Sequence, residues 1–322
     1  MRTRLYRNGR LVREGFPDAE IAAYVADEAN VVWADLCAPG HAELSALGEE
    51  LGLHELAVED VVADRQRPKV DVYDNHLFLT VYAAAFEEDR FAPVEIAAFV
   101  TRNALVTVRP DDRFDMREVA RRWDASAHLA GHGAAFLLHG LLDCVVDGHL
   151  ELAQDLDGRA EDMEEMLFEE RPVDGRRLQR AMYDLRKTTV GFRKIALPMR
   201  EIVGTLLRRD QAIISGSRMA PYFEDVYDHA LRTAELVEAL REMLANIRET
   251  RLAQQGFRLN EIMKHLTSWA AIIAVPTAVT GFYGQNVLYP GVGTLWGFWV
   301  SVVLMAFASI ALYAVFKRKN WL

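Results

Sequence analysis

The C-terminal part of the chain differs in hydropathy from everything before it. From residue 265 to residue 316 the sequence contains no Asp, Glu, Lys or Arg, and it holds two apolar runs, Leu266–Phe282 and Leu295–Phe316. A helix needs roughly 20 mostly apolar residues to cross the hydrocarbon core of a bilayer. The pattern therefore predicts two membrane-spanning helices, preceded by a long soluble segment.

The first 125 residues alternate short β-type and helical patterns. The β-type runs are Val31–Leu36, Leu77–Phe86, Ile96–Thr101 and Leu105–Arg109, and the helical runs are Glu43–Leu51, Glu55–Val62 and Asp111–Trp123. Such alternation favours helices packed on a sheet. We therefore predict an α+β domain over residues 1–125, with a mixed sheet flanked by helices.

Residues 126–220 change to long helical periodicity. Ala134–Glu170 ends in an acid-rich half and is stopped by Pro172, because proline lacks the amide proton that a helix interior requires. Gly175–Arg209 is a second long helical pattern, and it is rich in Arg and Lys. Two long neighbouring helices of opposite charge predict an antiparallel helical hairpin over residues 126–220.

A third helix is predicted to lead directly into the membrane. Pro221 suits a first helical turn, and no proline follows between Tyr222 and Val275. Apolar residues then recur at spacings of three, four or seven: Val226, Ala230, Val237, Leu240, Leu244 and Ile247. We expect one stalk helix over residues 221–284 that continues into the first span, a rod of roughly 90 Å at about 1.5 Å per residue.

Charges at the ends of the spans set the predicted orientation. Lys264 precedes the first span, and Lys317, Arg318 and Lys319 follow the second, whereas the connecting loop has no basic residue. By the positive-inside rule both termini are cytoplasmic. The predicted order is therefore an extracytoplasmic loop at 285–294, a second transmembrane helix at 295–316 and a basic cytoplasmic tail at 317–322, in the cell inner membrane.

Composition excludes several classes of function. The net charge of −10 argues against nucleic acid as a partner, and no glycine-rich phosphate loop or nucleophile elbow indicates an enzyme or an organic cofactor. The two cysteines, Cys37 and Cys144, lack metal-ligand spacing and are predicted to be buried. Four histidines are predicted to lie on the surface: His128, His132, His139 and His149.

Two helices cannot enclose a water-filled path, so a path for ions requires a ring of copies. The first span carries hydroxyl and small side chains, which suit a lumen and close helix approach: Thr267, Ser268, Ala270, Ala271, Ala274, Thr277, Thr280 and Gly281. The second span is bulkier and aromatic, as expected of a lipid-facing outer helix. Pro276 interrupts the first span and is expected to bend it.

The loop after the first span reads Tyr283-Gly284-Gln285-Asn286. Gly284 permits a left-handed or tight turn, and Asn286 offers a neutral amide oxygen. A ring of such oxygens suits a hydrated cation, above all Mg²⁺, which gives up its water shell reluctantly. We take Gly284, Gln285 and Asn286 as the candidate selectivity filter.

Together these features resemble the CorA family of divalent-cation channels and transporters, the two-span Gly-x-Asn proteins. The resemblance covers nearly the whole chain. Its motifs are the segments from His54 to Asp60, Arg67 to Val70, Pro221 to His229, Asn260 to Thr267 and Lys317 to Leu322. It implies a homopentamer with a cytoplasmic funnel, which takes up Mg²⁺ and accepts Co²⁺ or Ni²⁺ as surrogates.

The resemblance also assigns roles to residues. It implies that Mg²⁺ bound between subunits holds the ring closed, through Asp225 and, by a gapless carry-over, Glu87. Helical spacing back from the filter predicts the pore-lining positions Asn260, Met263, Leu266, Ala270, Ala274 (or Ile273), Thr277 and Tyr283 (or Gly284). Met263 and Leu266 match the apolar gate of the family, which closes by dewetting.

Two departures leave alternatives open. Gln285 replaces the methionine of the usual Gly-Met-Asn, and the loop from Val287 to Gly293 lacks the acid that usually follows. This neutral loop resembles the ZntB branch, which moves Zn²⁺ with protons. Proton coupling usually needs an ionisable relay in the membrane, and His265 at the inner edge is the one candidate within the spans. A non-conducting membrane scaffold or sensor is the third reading.

Overall fold

A computed structural model describes residues 1–62, 66–168, 175–208, 218–285, 288 and 290–322 of the protein. The chain divides into two compact units, Met1–Ala245 and Asn246–Leu322. This division falls within a long helix and not at any domain boundary predicted above. Those boundaries stay predictions.

Most strands of the first unit belong to one mixed sheet. Among the described residues, its order is β2-β1-β3-β9-β8-β5-β4, and the pair β3–β9 is parallel while the other neighbours are antiparallel. The strands are β1 (Arg2–Arg7), β2 (Arg10–Glu14), β3 (Asn30–Cys37), β4 (Lys69–Val72), β5 (Leu77–Ala83), β8 (Val94–Val100) and β9 (Ala104–Arg109). A separate hairpin joins β6 (Phe86–Glu87) to β7 (Arg90–Phe91).

Helices cover both faces of this sheet. They are α1 (Ile21–Val25), α2 (His41–Leu51), α3 (Glu55–Val62), α4 (Met116–Ala125), α5 (Ala134–Phe168), α6 (Gly175–Leu206) and α7 (Ala220–Tyr283), and α8 (Leu295–Arg318) follows in the second unit. Strand β5 shows the two-residue period: Leu77 and Leu79 join the core shared with α4 to α7, whereas Phe78 joins the core under α1 to α3. The predicted fold class, a sheet flanked by helices followed by two apolar C-terminal helices, is confirmed.

Two element boundaries were predicted wrongly, and side-chain hydrogen bonds explain the larger error. Helix α4 begins at Met116 and not at Asp111. The Arg109 guanidinium donates to the carbonyls of Asp111 and Phe114, and the Asp111 carboxylate accepts from the amide of Arg113. These bonds hold a loop, and Asp115 caps the helix that follows. The strand predicted at Leu77–Phe86 ends at Ala83.

Three predictions about burial were also wrong, those for Cys37, His149 and the half-buried His139. Cys37 at the end of β3 is exposed, whereas Cys144 is buried as predicted. His149 is not on the surface: it is 1% exposed, and its Nε2 lies 2.7 Å from the carbonyl oxygen of Tyr82. A carbonyl accepts, so Nε2 carries the proton and donates. Burial lowers the pKa of His149 to about 4, because the interior disfavours the imidazolium.

A polar cluster ties the start of α7 to α4 and α5. Arg122 on α4 donates from Nη1 to Asp143 and to Asp147, both at 2.6 Å, and His229 on α7 lies 3.0 Å from Asp147. Burial opposes the charge of Arg122, but the hydrogen bonds to Asp147 and Asp143 outweigh it and raise the pKa of Arg122. These polar contacts hold the start of α7 against α4 and α5, in addition to the apolar contacts of Phe223 and Val226.

His149 predicts a specific pH dependence of stability. The histidine pKa is about 6.5 when the chain is unfolded and about 4 when it is folded. The neutral side chain therefore stabilises the fold fully above pH 6.5, and this contribution is lost as the pH falls towards 4. His149→Gln keeps a donor but does not titrate, so we expect its loss of stability between pH 7 and pH 5 to be smaller by about 2 kcal/mol. Urea unfolding followed by circular dichroism measures this, and the exposed His128→Gln should retain the wild-type pH dependence.

Arg122→Gln should destabilise the first unit. It leaves Asp143 and Asp147 without their cation, and these carboxylates are about one quarter exposed. We expect a loss of about 2 kcal/mol, below the range for fully buried pairs because solvent still reaches the cluster. Urea unfolding at neutral pH measures it. Arg121→Gln is the matched control, since Arg121 is 72% exposed and should change stability little; equal losses in the two variants would contradict the assignment.

Candidate functional site

The second unit contains two helices of membrane-spanning length and composition, the C-terminal part of α7 and all of α8. In α7 the covered positions recur every three or four residues: Ser268, Ala271, Ile272, Val275, Pro276, Val279 and Tyr283. In α8 the covered positions are Gly297, Ser301, Val302, Met305, Ala308, Ser309, Leu312 and Phe316. The described residues of this unit hold no further helix, so these stripes are the faces on which α7 and α8 pack together.

The residues predicted to line a pore lie on the opposite face of α7. Six of the seven are exposed: Asn260, Met263, Leu266, Ala270, Ala274 and Thr277. Met263 is 57% exposed and Leu266 is 62% exposed, although both are apolar. At about 100° per residue the five positions from Met263 to Thr277 point roughly half a turn away from the stripe that packs on α8, whereas Asn260 lies at the edge of this face, about 80° from Ser268. One copy of the chain therefore leaves this face uncovered.

Tyr283 departs from that face. It lies nine residues after Ala274, about half a turn round a regular helix, and its side chain is half-buried on the stripe that packs on α8. Helical spacing alone does not show which face of α7 packs on α8. Tyr283 was therefore assigned to the pore face although it lies on the packed one.

Two threonine hydroxyl groups on α7 donate hydrogen bonds to backbone carbonyls of the preceding turn of the same helix. Thr277 donates to the carbonyl of Ile273 at 3.1 Å, and Thr280 donates to that of Pro276 at 2.8 Å. The hydroxyl hydrogens are thereby used, while the oxygen lone pairs stay available as acceptors. The exposed Thr277 oxygen is therefore suited to a cation or to its water shell.

Helix α7 ends at the predicted filter. The Gly284 amide donates to Thr280 at 2.8 Å, and the Gln285 amide to Phe282 at 3.3 Å. Of the two conformations predicted for Gly284, a left-handed one or a tight turn, the structure has a turn without a positive φ; among the described residues the positive-φ glycines of this loop are Gly291 and Gly293. Asn286 lies outside the described residues.

The remainder of the loop is held against the start of α8. Thr294 caps α8, its hydroxyl accepting from the Gly297 amide at 3.2 Å and donating to Gly291 at 2.8 Å. A Cβ added at Gly297 would lie 2.3 Å from the Gly291 oxygen, so only glycine permits this approach. The chain that follows the filter is therefore anchored at a defined point.

The two predicted metal-sensor acids both lie on the surface of the first unit. Asp225 is exposed in the second turn of α7, and Glu87 is exposed in β6, where it lies 3.6 Å from Arg113. Glu87 also borders a cleft of about 720 Å³ at the carboxyl ends of β3 and β9. Among the described residues no group of three or more His, Cys, Asp and Glu side chains is arranged to hold a metal within one copy.

His139 is a neighbour of Asp225 that the sequence did not reveal. Its ring packs edge-on against Tyr222 and Phe223. Burial lowers the pKa of His139, while Asp143 and Asp225 oppose this shift. Asp143 and Asp147 follow His139 on α5 at successive steps of four residues, and this spacing was the one signal that could have indicated a polar face there.

Comparisons with known proteins cover nearly the whole chain. The model of the CorA-like Mg²⁺ transporter protein family matches residues 28–318. The cobalt/magnesium transport protein CorA of Thermotoga maritima is 28% identical over 311 residues, which are 95% of this chain and 87% of that protein.

Solved structures share the fold. The complete CorA magnesium transporter of Methanocaldococcus jannaschii has a TM-score of 0.79 at 24% identity, covering 99% of this chain and 98% of that one. The ZntB cytoplasmic domain of Vibrio parahaemolyticus has a TM-score of 0.57 at 13% identity, covering 70% and 88%. At these identities both show the fold alone. The family match over residues 28–318, with the two apolar C-terminal helices, establishes that the chain belongs to the CorA-like Mg²⁺ transporter protein family.

Proposed function

We propose that the protein is a homopentameric Mg²⁺ channel of the cell inner membrane, with both termini in the cytoplasm. Five copies of α7 line the ion path, and α8 forms the outer ring towards lipid. The family transports divalent cations, and its T. maritima member is named for cobalt as well as magnesium. We therefore propose Mg²⁺ as the principal cargo, with Co²⁺ and Ni²⁺ as surrogates.

The uncovered face of α7 is the observation that carries this proposal. It combines a hydroxyl and small side chains with two apolar residues and points away from α8, and the amide of Asn260 lies at its edge. Lipid is a poor cover for the hydroxyl oxygen of Thr277, because hydrocarbon offers no partner for polar groups. A closed ring of copies covers the flanks of this face and leaves its centre facing water.

Within this path the residues have distinct proposed roles. Asn260 offers an amide at the inner end, Met263 and Leu266 form an apolar constriction that closes by dewetting, and Thr277 presents hydroxyl oxygens. Ala270 and Ala274 keep the path wide enough for a hydrated cation. Tyr283 is left out of this pore face because it lies on the stripe that packs on α8.

We propose that the ring of Gly284, Gln285 and Asn286 is the selectivity filter. Neutral amide oxygens bind Mg²⁺ through its water shell, which avoids the cost of dehydration. Gln285 adds a second amide where the family's usual loop carries methionine. Gating is proposed to depend on Mg²⁺ held between Asp225 of one copy and Glu87 of the next, since carboxylate oxygens are preferred ligands of this ion.

A proton-coupled Zn²⁺ transporter is the second candidate, favoured by the neutral loop from Val287 to Gly293. The likeness to the ZntB domain adds fold similarity only. A non-conducting scaffold is the third candidate, and a flux measurement distinguishes all three.

The channel proposal predicts the outcome of a flux assay. In proteoliposomes loaded with a Mg²⁺-sensitive dye, wild-type protein should admit Mg²⁺ at a rate that does not depend on a pH gradient. Asn286→Ala should reduce this rate at least tenfold, because the filter loses one amide from every copy. Val292→Ala, in the same loop, is the matched control and should conduct normally. Zn²⁺ entry that scales with the pH gradient would instead indicate the coupled transporter, and no flux of either ion would indicate the scaffold.

The proposed sensor predicts a change in regulation without a change in conduction. Asp225→Asn removes a carboxylate ligand, so the channel should remain open at internal Mg²⁺ concentrations that close the wild type. We expect the half-closing concentration of internal Mg²⁺ to rise several-fold, measured in the same proteoliposomes. Glu235→Gln removes an exposed acid further along α7 and should leave this concentration unchanged. An unchanged half-closing concentration in Asp225→Asn would remove Asp225 from the sensor.

A further inference from the structure

A polar cleft lies between α7, just before its membrane span, and the chain segment that follows α8. Its volume is about 600 Å³, and it is formed by one face of α7 together with Asn320, just beyond α8. The lining side chains are Gln254, Phe257, Arg258, Asn260, Glu261, Lys264, His265 and Asn320. All of them belong to the second unit, Asn246–Leu322.

The face of α7 that lines this cleft is the continuation of the stripe that packs on α8. Gln254, Arg258, Glu261 and His265 precede Ser268 at steps of three and four residues. In the membrane this stripe is covered by α8. Below the last apolar residues α8 ends, and the same stripe opens into the cleft.

The chain end that forms the other wall has a defined conformation. Asn320 adopts a left-handed conformation (φ 54°), and the amides of Lys319 and Trp321 donate to Val315 and Phe316. The Trp321 ring stacks on Phe316, with ring centroids 5.7 Å apart. These contacts turn the terminus back, which places the Asn320 side chain in the cleft.

The charge of the cleft is positive. Arg258 and Lys264 line it with a single acid, Glu261, and Lys317, Arg318 and Lys319 adjoin it in sequence next to Asn320. Such a set repels cations, so the cleft is not a further cation site. It favours an anion that accepts several hydrogen bonds.

The position of the cleft indicates which anion. Lys264 is the last charged residue before the uncharged stretch, and Lys317 is the first after it. The cleft therefore lies at headgroup depth, directly below the hydrocarbon core. The exposed ring of Phe257 and the stacked pair of Phe316 and Trp321 are the amphipathic aromatic groups common at this interface.

We propose that this cleft binds the phosphate headgroup of an anionic phospholipid in the membrane leaflet on the side of the chain terminus. Arg258 and Lys264 bind the phosphate, and Asn320 and Gln254 donate to the glycerol or phosphate oxygens. Basic pockets between transmembrane helices are suited to anionic headgroups. The inference goes beyond the proposed channel and requires only that α7 and α8 span a bilayer.

Native mass spectrometry of the full-length protein tests this by comparing phosphatidylglycerol with phosphatidylcholine of the same acyl chains. Wild-type protein should bind phosphatidylglycerol more tightly. Arg258→Gln with Lys264→Gln should weaken this binding about 25-fold, about fivefold for each cation removed at a membrane surface. Glu261→Gln should strengthen it about fivefold, a gain that misfolding cannot produce.

Arg180→Gln with Lys187→Gln is the matched control, since it removes two exposed cations from α6 in the other unit. It should bind both lipids as the wild type does. The proposal is overturned if the wild type shows no preference for phosphatidylglycerol, or if the Arg258/Lys264 variant keeps that preference. It is also overturned if excess inorganic phosphate displaces phosphatidylglycerol completely, because the cleft would then bind soluble anions. Mg²⁺ flux is not the readout, so failure here leaves the channel proposal standing.

Discussion

The second unit depends on one constraint: the apolar side chains of its two uncharged runs, Leu266–Phe282 and Leu295–Phe316, must be covered by lipid or by protein. Each of its two helices covers only one stripe of the other, through small residues such as Ser268 and Ser301. The surfaces left over are chemically different. That of α8 is made of large apolar and aromatic side chains, which hydrocarbon covers well, whereas that of α7 includes the hydroxyl groups of Thr277 and Thr280. The exposed surface of α7 is more polar than that of α8, and this difference is the physical reason for placing α7 at the inside of the proposed ring.

In the first unit, the packing of the start of α7 determines which of its residues are buried and which are exposed. Phe223, Val226 and Ala230 are buried in the core shared with α4 and α5. The cluster of Arg122, Asp147 and His229 adds directional contacts beside this apolar stripe. Asp225 is exposed because these contacts fix the rotation of the helix. A carboxylate held outward in this way is available to another copy, which an acid on a freely rotating helix is not.

Long elements were predictable from the sequence because their periodicity repeats many times. Helix α7 was predicted from Pro221 onwards and begins at Ala220, and α8 begins at the predicted Leu295. Two of the failures involve single polar side chains. The start of α4 depends on Arg109 reaching across to two carbonyls, and the burial of His149 depends on the carbonyl of Tyr82, which is distant in sequence. No local pattern encodes such partners.

The candidate site shows the same limit. The spacing of Met263, Leu266, Ala270 and Ala274 placed them on one face of α7. The direction in which this face points became known only from the structure, in which α8 covers the opposite stripe. In that orientation Tyr283 lies on the stripe that packs on α8 and not on the predicted pore face. This orientation also explains why Lys264, the neighbour of Met263, lies in the cleft: one residue turns a helix by about 100°, enough to separate an apolar gate from a basic headgroup site. The two proposed surfaces therefore lie on one helix, and a headgroup bound by Arg258 and Lys264 would favour one rotation of the helix and so one orientation of Met263.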